Sequence, residues 1–308
     1  MISATLKGRD FLSLADLTPA QVAELLQLAA DMKSGKVNVR CNKILGLLFY
    51  KASTRTRVSF TVAMYQLGGQ VLDLNPNVTQ VSRGEPLIDT ARVLDRYLDV
   101  LAIRTFAQED LETFANYAQI PVINALTDLA HPCQALADLL TVQECFGNLN
   151  NLTVTYVGDG NNVANSLMLG CAMMGVNIRV ATPANFEQPP EIIEKAKAYA
   201  DGKSEVTVTN DPIAAATGAH ALYTDVWASM GQEEEANSRI PIFQPYQLNE
   251  KLLNVADKNA IVLHCLPAHR GEEITDEAIE GSHSRVWDQA ENRMHVQKAL
   301  LATILGAE

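Results

Sequence analysis

Short apolar runs alternate with stretches whose apolar residues recur at helical spacing along nearly the whole chain. "LTPAQVAELLQLAADM" opens with Thr18 as N-cap, Pro19 in the first helical position and Gln21 completing a capping box. Val22, Leu25, Leu26 and Ala29 follow at helical spacing, which predicts a helix. The run over 44–50 predicts a strand, followed by a helix over 54–67 and short strands near 70–73, 100–103 and 121–125. A helix over 132–146 closes this half, and the polar "GNLNN" at 147–151 is the expected domain boundary. Beyond it come strand "LTVTYVG", helix 163–174, strand "VNIRVAT", helix 190–200 and strand 205–209. Strands "HALYTD" and "AIVLHC" precede a last amphipathic helix over 289–305. Such alternation predicts parallel sheets covered on both faces, here in two copies. The stretch 229–247 is long and polar for a connection and is expected to serve as a lid.

Composition narrows the function. A chain of 308 residues, 47% of them hydrophobic, exceeds one comfortable core, in keeping with two domains. Lys plus Arg number 24 against 36 for Asp plus Glu, a net charge of −12, which argues against nucleic-acid or membrane-surface partners. Any anion site must therefore concentrate a few arginines locally. Cys41, Cys133, Cys145, Cys171 and Cys265 show no C-x-x-C spacing, so reduced thiols, a cytoplasmic location and no metal are expected. No basic segment leads into an apolar block at the N-terminus, and no apolar run reaches 18 residues.

Polar residues gather at the predicted strand ends, where ligands bind in doubly wound sheets. After the strand at 44–50, "STRTR" (53–57) opens a helix, so backbone N–H groups, hydroxyls and a guanidinium converge as a phosphate site without glycines. Arg104 follows another strand, and His131 and Gln134 stand at the start of the 132–146 helix. "YVGDGNNVANS" matches a dinucleotide fingerprint poorly: Val163 occupies the third glycine position and the next strand ends in Thr182-Pro183 rather than a carboxylate. Its Asn161 and Asn162 suit a small zwitterion instead. Asp225 supplies a carboxylate for an ammonium, Ser229 a hydroxyl for a carboxylate, and Cys265 lies beside Asp225 if their strands converge. Singly, each has a bland reading: a capped helix with solvated arginines, a structural histidine, a plain turn, an inert thiol, a surface Arg293.

Taken together, "STRTR", "HPCQ", "GDGNNVANS", "DVWASMGQE" and "HCLPAHRG" resemble, in that order, the aspartate/ornithine transcarbamoylase family and its ornithine branch. The resemblance covers essentially the whole chain. It implies two doubly wound parallel α/β domains, a carbamoyl-phosphate-binding domain over 1–147 and an ornithine-binding domain over 148–288. The C-terminal helix 289–308 returns to the first domain. The implied reaction moves the carbamoyl group of carbamoyl phosphate to the δ-amine of L-ornithine, giving L-citrulline and phosphate, without any cofactor. By the resemblance, Ser53, Thr54, Arg55 and Thr56 hold the phosphate, and Arg57 braces the loop through internal salt bridges. Arg104, His131 and Thr56 surround the carbamoyl oxygen as an oxyanion hole, where one donor is worth about 3–4 kcal/mol. Gln134 and the carbonyls of Cys265 and Leu266 accept from the carbamoyl NH₂, Arg293 adds a second guanidinium, and Pro132 and Cys133 complete the "HPCQ" contact. Asn162, Asp225, Ser229 and Met230 match ornithine contacts, with Cys265 near the attacking amine. The family implies a homotrimer with shared sites, Gln80 being donated by the neighbouring chain; Arg83 falls where the aspartate branch carries a reaching lysine.

Rival readings are a nucleotide-binding dehydrogenase, disfavoured by the missing ribose carboxylate, and a non-catalytic relative. The latter would have lost at least one of Arg55, Arg104, His131 or Cys265, and all are present. Transfer to a related amine such as putrescine or an acetylated ornithine is the nearest enzymatic alternative.

Overall fold

The computed structural model describes residues 6–76, 79–228 and 236–308, without the side chains of Ser82 and Ala236. The chain divides into two compact units, Met1–Ala137 with Glu291–Glu308, and Asp138–Ala290.

Unit 1 contains α1 (Pro19–Lys33), β1 (Ile44–Phe49), α2 (Thr54–Gln66), β2 (Gln70–Leu74), α3 (Leu87–Leu94), β3 (Val100–Arg104), α4 (Gln108–Tyr117) and β4 (Val122–Leu126). Helix α1 starts as its cap predicts: Thr18 Oγ1 accepts from the Gln21 N–H at 3.3 Å and Gln21 Oε1 accepts from the Thr18 N–H at 2.9 Å. The strands pair in the order β2-β1-β3-β4, all parallel. Strand β3 is buried at every position, as a sheet covered on both faces requires. Leu48, Leu101, Ile103, Phe114 and Val122 pack into one cluster, and each fully buried side chain of this kind contributes about 1.5–3 kcal/mol. Helices α3 and α4 were not anticipated by the sequence reading. They are short, and the acidic first turn of α4, Glu109 and Asp110, is its main local signal.

Helix α5 (Pro132–Phe146) carries the chain from one unit to the other. By compactness the units meet at Ala137 and Asp138, inside this helix, and Asp138 is anchored in unit 2. This fully buried carboxylate accepts from Gln289 Nε2 at 2.7 Å and from the Tyr223 hydroxyl at 3.4 Å, both within unit 2.

Unit 2 contains β5 (Thr153–Val157), α6 (Asn162–Met173), β6 (Asn177–Ala181), α7 (Pro190–Ala200), β7 (Val206–Thr209), α8 (Pro212–Ala216) and β8 (Ala221–Thr224). It continues with α9 (Ala236–Phe243), α10 (Glu250–Leu253), β9 (Ile261–His264) and α11 (Asp276–Glu280). Its strands run β7-β6-β5-β8-β9, again all parallel. The stretch 229–247 is not one irregular connection. Residues 229–235 lie outside the described residues, but Ala236–Phe243 is helical and Gln244–Tyr246 forms a 3-10 turn. Pro241 inside α9 and the polar composition hide that helix from a reading by periodicity.

The last helix, α12 (Val286–Leu305), belongs to unit 1 from Glu291 onward, so the C-terminal helix does pack back on the first domain. There Asn292 Oδ1 accepts from Lys33 Nζ and Gln66 Oε1 accepts from Lys298 Nζ, each at 2.8 Å. Among the described residues no helix is long and apolar enough to cross a membrane.

Both strand orders reverse direction once, between β1 and β3 in unit 1 and between β5 and β8 in unit 2. Such switch points leave a crevice at the carboxyl ends of the two strands. The residues singled out from sequence follow those four strands and their neighbours.

Candidate active site

In unit 1 the β1–β3 register ends flush, with Phe49 opposite Arg104, so the loop after β1 lies beside the end of β3. Ser53 is the N-cap of α2, in extended backbone with no side-chain bond to the helix, and Thr54, Arg55 and Thr56 form the first turn. That turn holds no acidic residue, unlike the first turn of α4, so no carboxylate of its own offsets the helix dipole there. Arg57 is drawn away into an ion pair with Asp73 and lies over the Phe49 ring, which makes it a brace for the loop. Thr56 is buried and its hydroxyl accepts from Arg293 Nη2 at 2.6 Å, fixing α12 against the loop within unit 1.

His131, Pro132, Cys133 and Gln134, at the start of α5, are all buried, as are Arg104 and Arg293. Burial is the main cause holding the His131 imidazole well below its ordinary 6.5, and the positive charges of Arg293, Arg104 and Arg55 push it the same way. The ring is thus a neutral donor in a strongly positive field. The Cys133 thiol turns to the Asn124 carbonyl at 3.5 Å, and burial pushes it up to about 12, so it is an inert packing group. Gln80 and Arg83 are exposed at the two ends of a 3-10 turn.

In unit 2 the β8–β9 register pairs Thr224 with His264, which makes Asp225 and Cys265 the next residues on adjacent strands. The strands do converge: Cys265 Sγ donates to Asp225 Oδ1 at 2.9 Å. Asn161 Nδ2 donates to the other oxygen, Oδ2, at 2.9 Å. The Asn161 oxygen is equally committed, capping α6 by accepting from the N–H groups of Val163 and Ala164 and accepting from the Tyr156 hydroxyl at 3.3 Å. Burial and then the nearby Asp225 charge push the Tyr156 phenol well up, so it remains a donor. Asn162, half-buried, is the first residue of α6. Ser229 and Met230 lie outside the described residues.

Sequence reasoning missed the supports behind these groups. His264 Nδ1 accepts from the Leu266 N–H at 2.8 Å, which leaves Nε2 to donate to the buried Glu273 carboxylate at 3.0 Å. Gln289 Oε1 accepts from the His264 N–H at 2.8 Å. Asp159 pairs with Arg239 at 3.0 Å, both largely buried, and breaking such a pair from one side costs about 3–5 kcal/mol. Burial pushes Asp159 up to about 6, with the Arg239 charge opposing. Asn161 carried a local signal, an amide at the N-terminus of a predicted helix. The Gln289–His264 and Asp159–Arg239 contacts join residues 25 and 80 apart in sequence.

Two groups of ligating atoms lie within 4.8 Å of one another among the described residues, Asp225 with His264 and Cys265, and His269 with Glu272 and Glu273. In the first, both imidazole nitrogens and both carboxylate oxygens are already engaged as described, so an ion would have to displace hydrogen bonds to enter.

The environment of His131 yields a direct expectation. Its imidazole carbon and nitrogen NMR shifts should stay those of the neutral ring as pH falls through 6.5, the value at which an ordinary histidine is half charged. Acidification should also destabilise unit 1, because the unfolded chain takes up a proton that the folded ring refuses. A titration midpoint near 6.5 would contradict the burial of this ring and the nearby positive charge described here.

Comparison with known proteins matches both halves. Residues 9–144 fit the family model described as aspartate/ornithine carbamoyltransferase, carbamoyl-P binding domain, and residues 150–304 fit the Asp/Orn binding domain of the same family. The ornithine carbamoyltransferase of Trichormus variabilis is 74% identical over 305 residues, covering 99% of this chain and 100% of the relative. The crystal structure of ornithine carbamoyltransferase from Gloeobacter violaceus is 57% identical with a TM-score of 0.90, covering 98% of this chain and 100% of that one. The anabolic enzyme from Campylobacter jejuni is 39% identical with a TM-score of 0.91, covering 96% and 98%. The chain belongs to the aspartate/ornithine carbamoyltransferase family.

Proposed function

We propose that the chain is an ornithine carbamoyltransferase that makes L-citrulline and phosphate from carbamoyl phosphate and L-ornithine, in the arginine-forming direction. The observation that carries this reading is a local gathering of cations in a chain of net charge −12: Arg55 lies in the first turn of α2, buried Arg104 ends β3 beside that loop, and buried Arg293 donates to Thr56 of the same turn at 2.6 Å. Like charges gathered near one helix N-terminus are relieved by a compact dianion. Carbamoyl phosphate is such a ligand. Relatives over nearly the full chain are ornithine carbamoyltransferases, which supplies the acceptor.

In this reading Ser53, Thr54, Arg55 and Thr56 bind the phosphate, whose charge grows as the C–O bond to the carbamoyl carbon breaks. Arg104, His131 and Thr56 donate to the carbamoyl oxygen, which gains charge when the δ-nitrogen adds to the carbon. Gln134 accepts from the carbamoyl NH₂, and Arg293, bonded to Thr56, adds positive charge. Asp225 pairs with the ornithine ammonium, while Asn162, Ser229 and Met230 complete the amino-acid contact. The attacking amine must be neutral, a form present at roughly one part in a thousand for a free alkyl amine near pH 7.4. Phosphate leaves with the electrons of the broken bond, and the amine nitrogen sheds its proton.

The proposed assembly is a homotrimer in which Gln80, exposed on its 3-10 turn, completes a neighbour's phosphate site. Its proposed compartment is the cytoplasm, which would keep the free thiols reduced.

Two substitutions test the division of labour. Arg55→Ala should weaken carbamoyl phosphate binding by the about 1.5–3 kcal/mol of a charge-assisted contact, and Lys should rescue it poorly for want of the planar fork. Asp225→Asn should raise the ornithine KM and leave carbamoyl phosphate affinity unchanged. Separate titrations of the two substrates decide this; equal damage to both by either variant would contradict the assignment.

Sharing of sites has its own test. An Arg55→Ala chain and a Gln80→Ala chain, each weakly active, should regain part of the wild-type rate when dissociated and reassembled together. Some interfaces of a head-to-tail ring then combine an intact Arg55 with an intact Gln80. Activity fixed at the parental average, with subunit exchange verified, would place Gln80 outside a shared site.

A further inference from the structure

The buried Asp159–Arg239 pair takes no part in the chemistry above, yet its contacts straddle the amino-acid half of the site. Arg239, on α9, donates from Nη1 to Asp159 Oδ2 at 3.0 Å and to the Trp227 carbonyl at 2.9 Å. Its guanidinium carbon lies 5.2 Å from the centre of the Phe186 ring, and Phe186 and Trp227 both pack on Phe243 of the same helix. Arg239 is 8% exposed, Asp159 9% and Trp227 2%, so little water competes for these bonds.

Each partner adjoins a residue of the ornithine half. Asp159 stands two positions before Asn161, the residue that caps α6 and donates to Asp225. Trp227 stands two positions after Asp225 itself. The turn between Asp159 and Asn161 is further pressed onto a third segment, since the Gly160 N–H donates to the Phe186 carbonyl at 2.9 Å. A Cβ at Gly160 would meet that carbonyl oxygen at 2.4 Å and the Gln188 nitrogen at 2.6 Å, so only glycine allows the approach. One guanidinium thus holds both backbone segments flanking the Asn161–Asp225 hydrogen bond.

We infer that Arg239 is a positioning residue for the amino-acid substrate, fixing the Asp159 turn and the Trp227 strand end so that the Asp225 carboxylate is held in its binding orientation. It touches no substrate in this arrangement and acts through Asn161 and Asp225. The inference rests on the assignment of Asp225 to the ornithine half.

The test uses the full-length protein carrying Arg239→Gln, Arg239→Lys or the pair Asp159→Asn/Arg239→Gln, with Asp225→Asn as control. Ornithine KM and kcat, the carbamoyl phosphate Kd and Tm are measured for each. Arg239→Gln should raise the ornithine KM by about tenfold to a hundredfold, the worth of one charge-assisted contact, and leave the carbamoyl phosphate Kd within about twofold. Arg239→Lys, able to reach one partner at a time, should recover part of the loss. The paired variant removes the stranded carboxylate, so Tm should return towards wild type while the ornithine KM stays high, because the Trp227 carbonyl still lacks its donor. An unchanged ornithine KM in Arg239→Gln, or a KM that recovers together with Tm in the paired variant, would reduce Arg239 to a stabilising residue and overturn the inference. If Asp225→Asn also leaves the ornithine KM unchanged, the fault lies in the site assignment; if Asp225→Asn alone raises it, only the role of Arg239 falls. Should Arg239→Gln not fold, Arg239→Lys and the paired variant give the same comparison.

Discussion

Parallel pairing is the constraint on which everything else in this molecule depends. Every strand pair among the described residues runs in one direction, so each sheet collects the carboxyl ends of its strands along one edge. In unit 1 that edge receives the Ser53–Thr56 turn, Arg104 and His131 from three different strands. In unit 2 it receives Asp159–Asn162, Asp225 and Cys265. None of these groups is near its partners in sequence; register alone makes Thr224 face His264 and thereby brings a carboxylate to a thiol. A hydrophobic core of strands buried on both faces holds that register, because a slip by one residue would misplace each loop with its strand.

Charge is distributed against the average of the chain. With 24 basic residues to 36 acidic, the molecule as a whole repels anions, yet Arg55, Arg104 and Arg293 act together on His131. On the proposed assignment, a positive field kept local to one turn suits a small, doubly charged ligand better than an extended polyanion. The amino-acid half follows the opposite logic. There a carboxylate is kept oriented by an amide and a thiol, and the nearby phenol of Tyr156 stays protonated through burial. On the proposed assignment the two halves have complementary electrostatic tasks, one for a phosphate and one for an ammonium.

Much of this was legible in the sequence because its signals are local. The Thr18 capping box, the apolar run at β1 and the Pro132 start of α5 depend on near neighbours, and all three elements form where their residues place them. Strand-end polar residues were equally visible, since each directly follows an apolar run. What sequence hid was long-range or atypical. Helix α9 contains a proline and few periodic apolar residues. The buried Asp138 bonds to Gln289 and Tyr223, residues far along the chain. Asp159 and Arg239 are 80 residues apart, and nothing in either neighbourhood announces the other.

The central claim is that this chain passes a carbamoyl group to the δ-amine of free ornithine. The most direct measurement incubates the purified protein with carbamoyl phosphate and, in separate reactions, L-ornithine, an acetylated ornithine and putrescine, and quantifies the ureido product and phosphate. Transfer to ornithine predicts citrulline and phosphate in equal amounts, with kcat/KM highest for ornithine. A higher value for putrescine or the acetylated compound, or phosphate release without any ureido product, would contradict it.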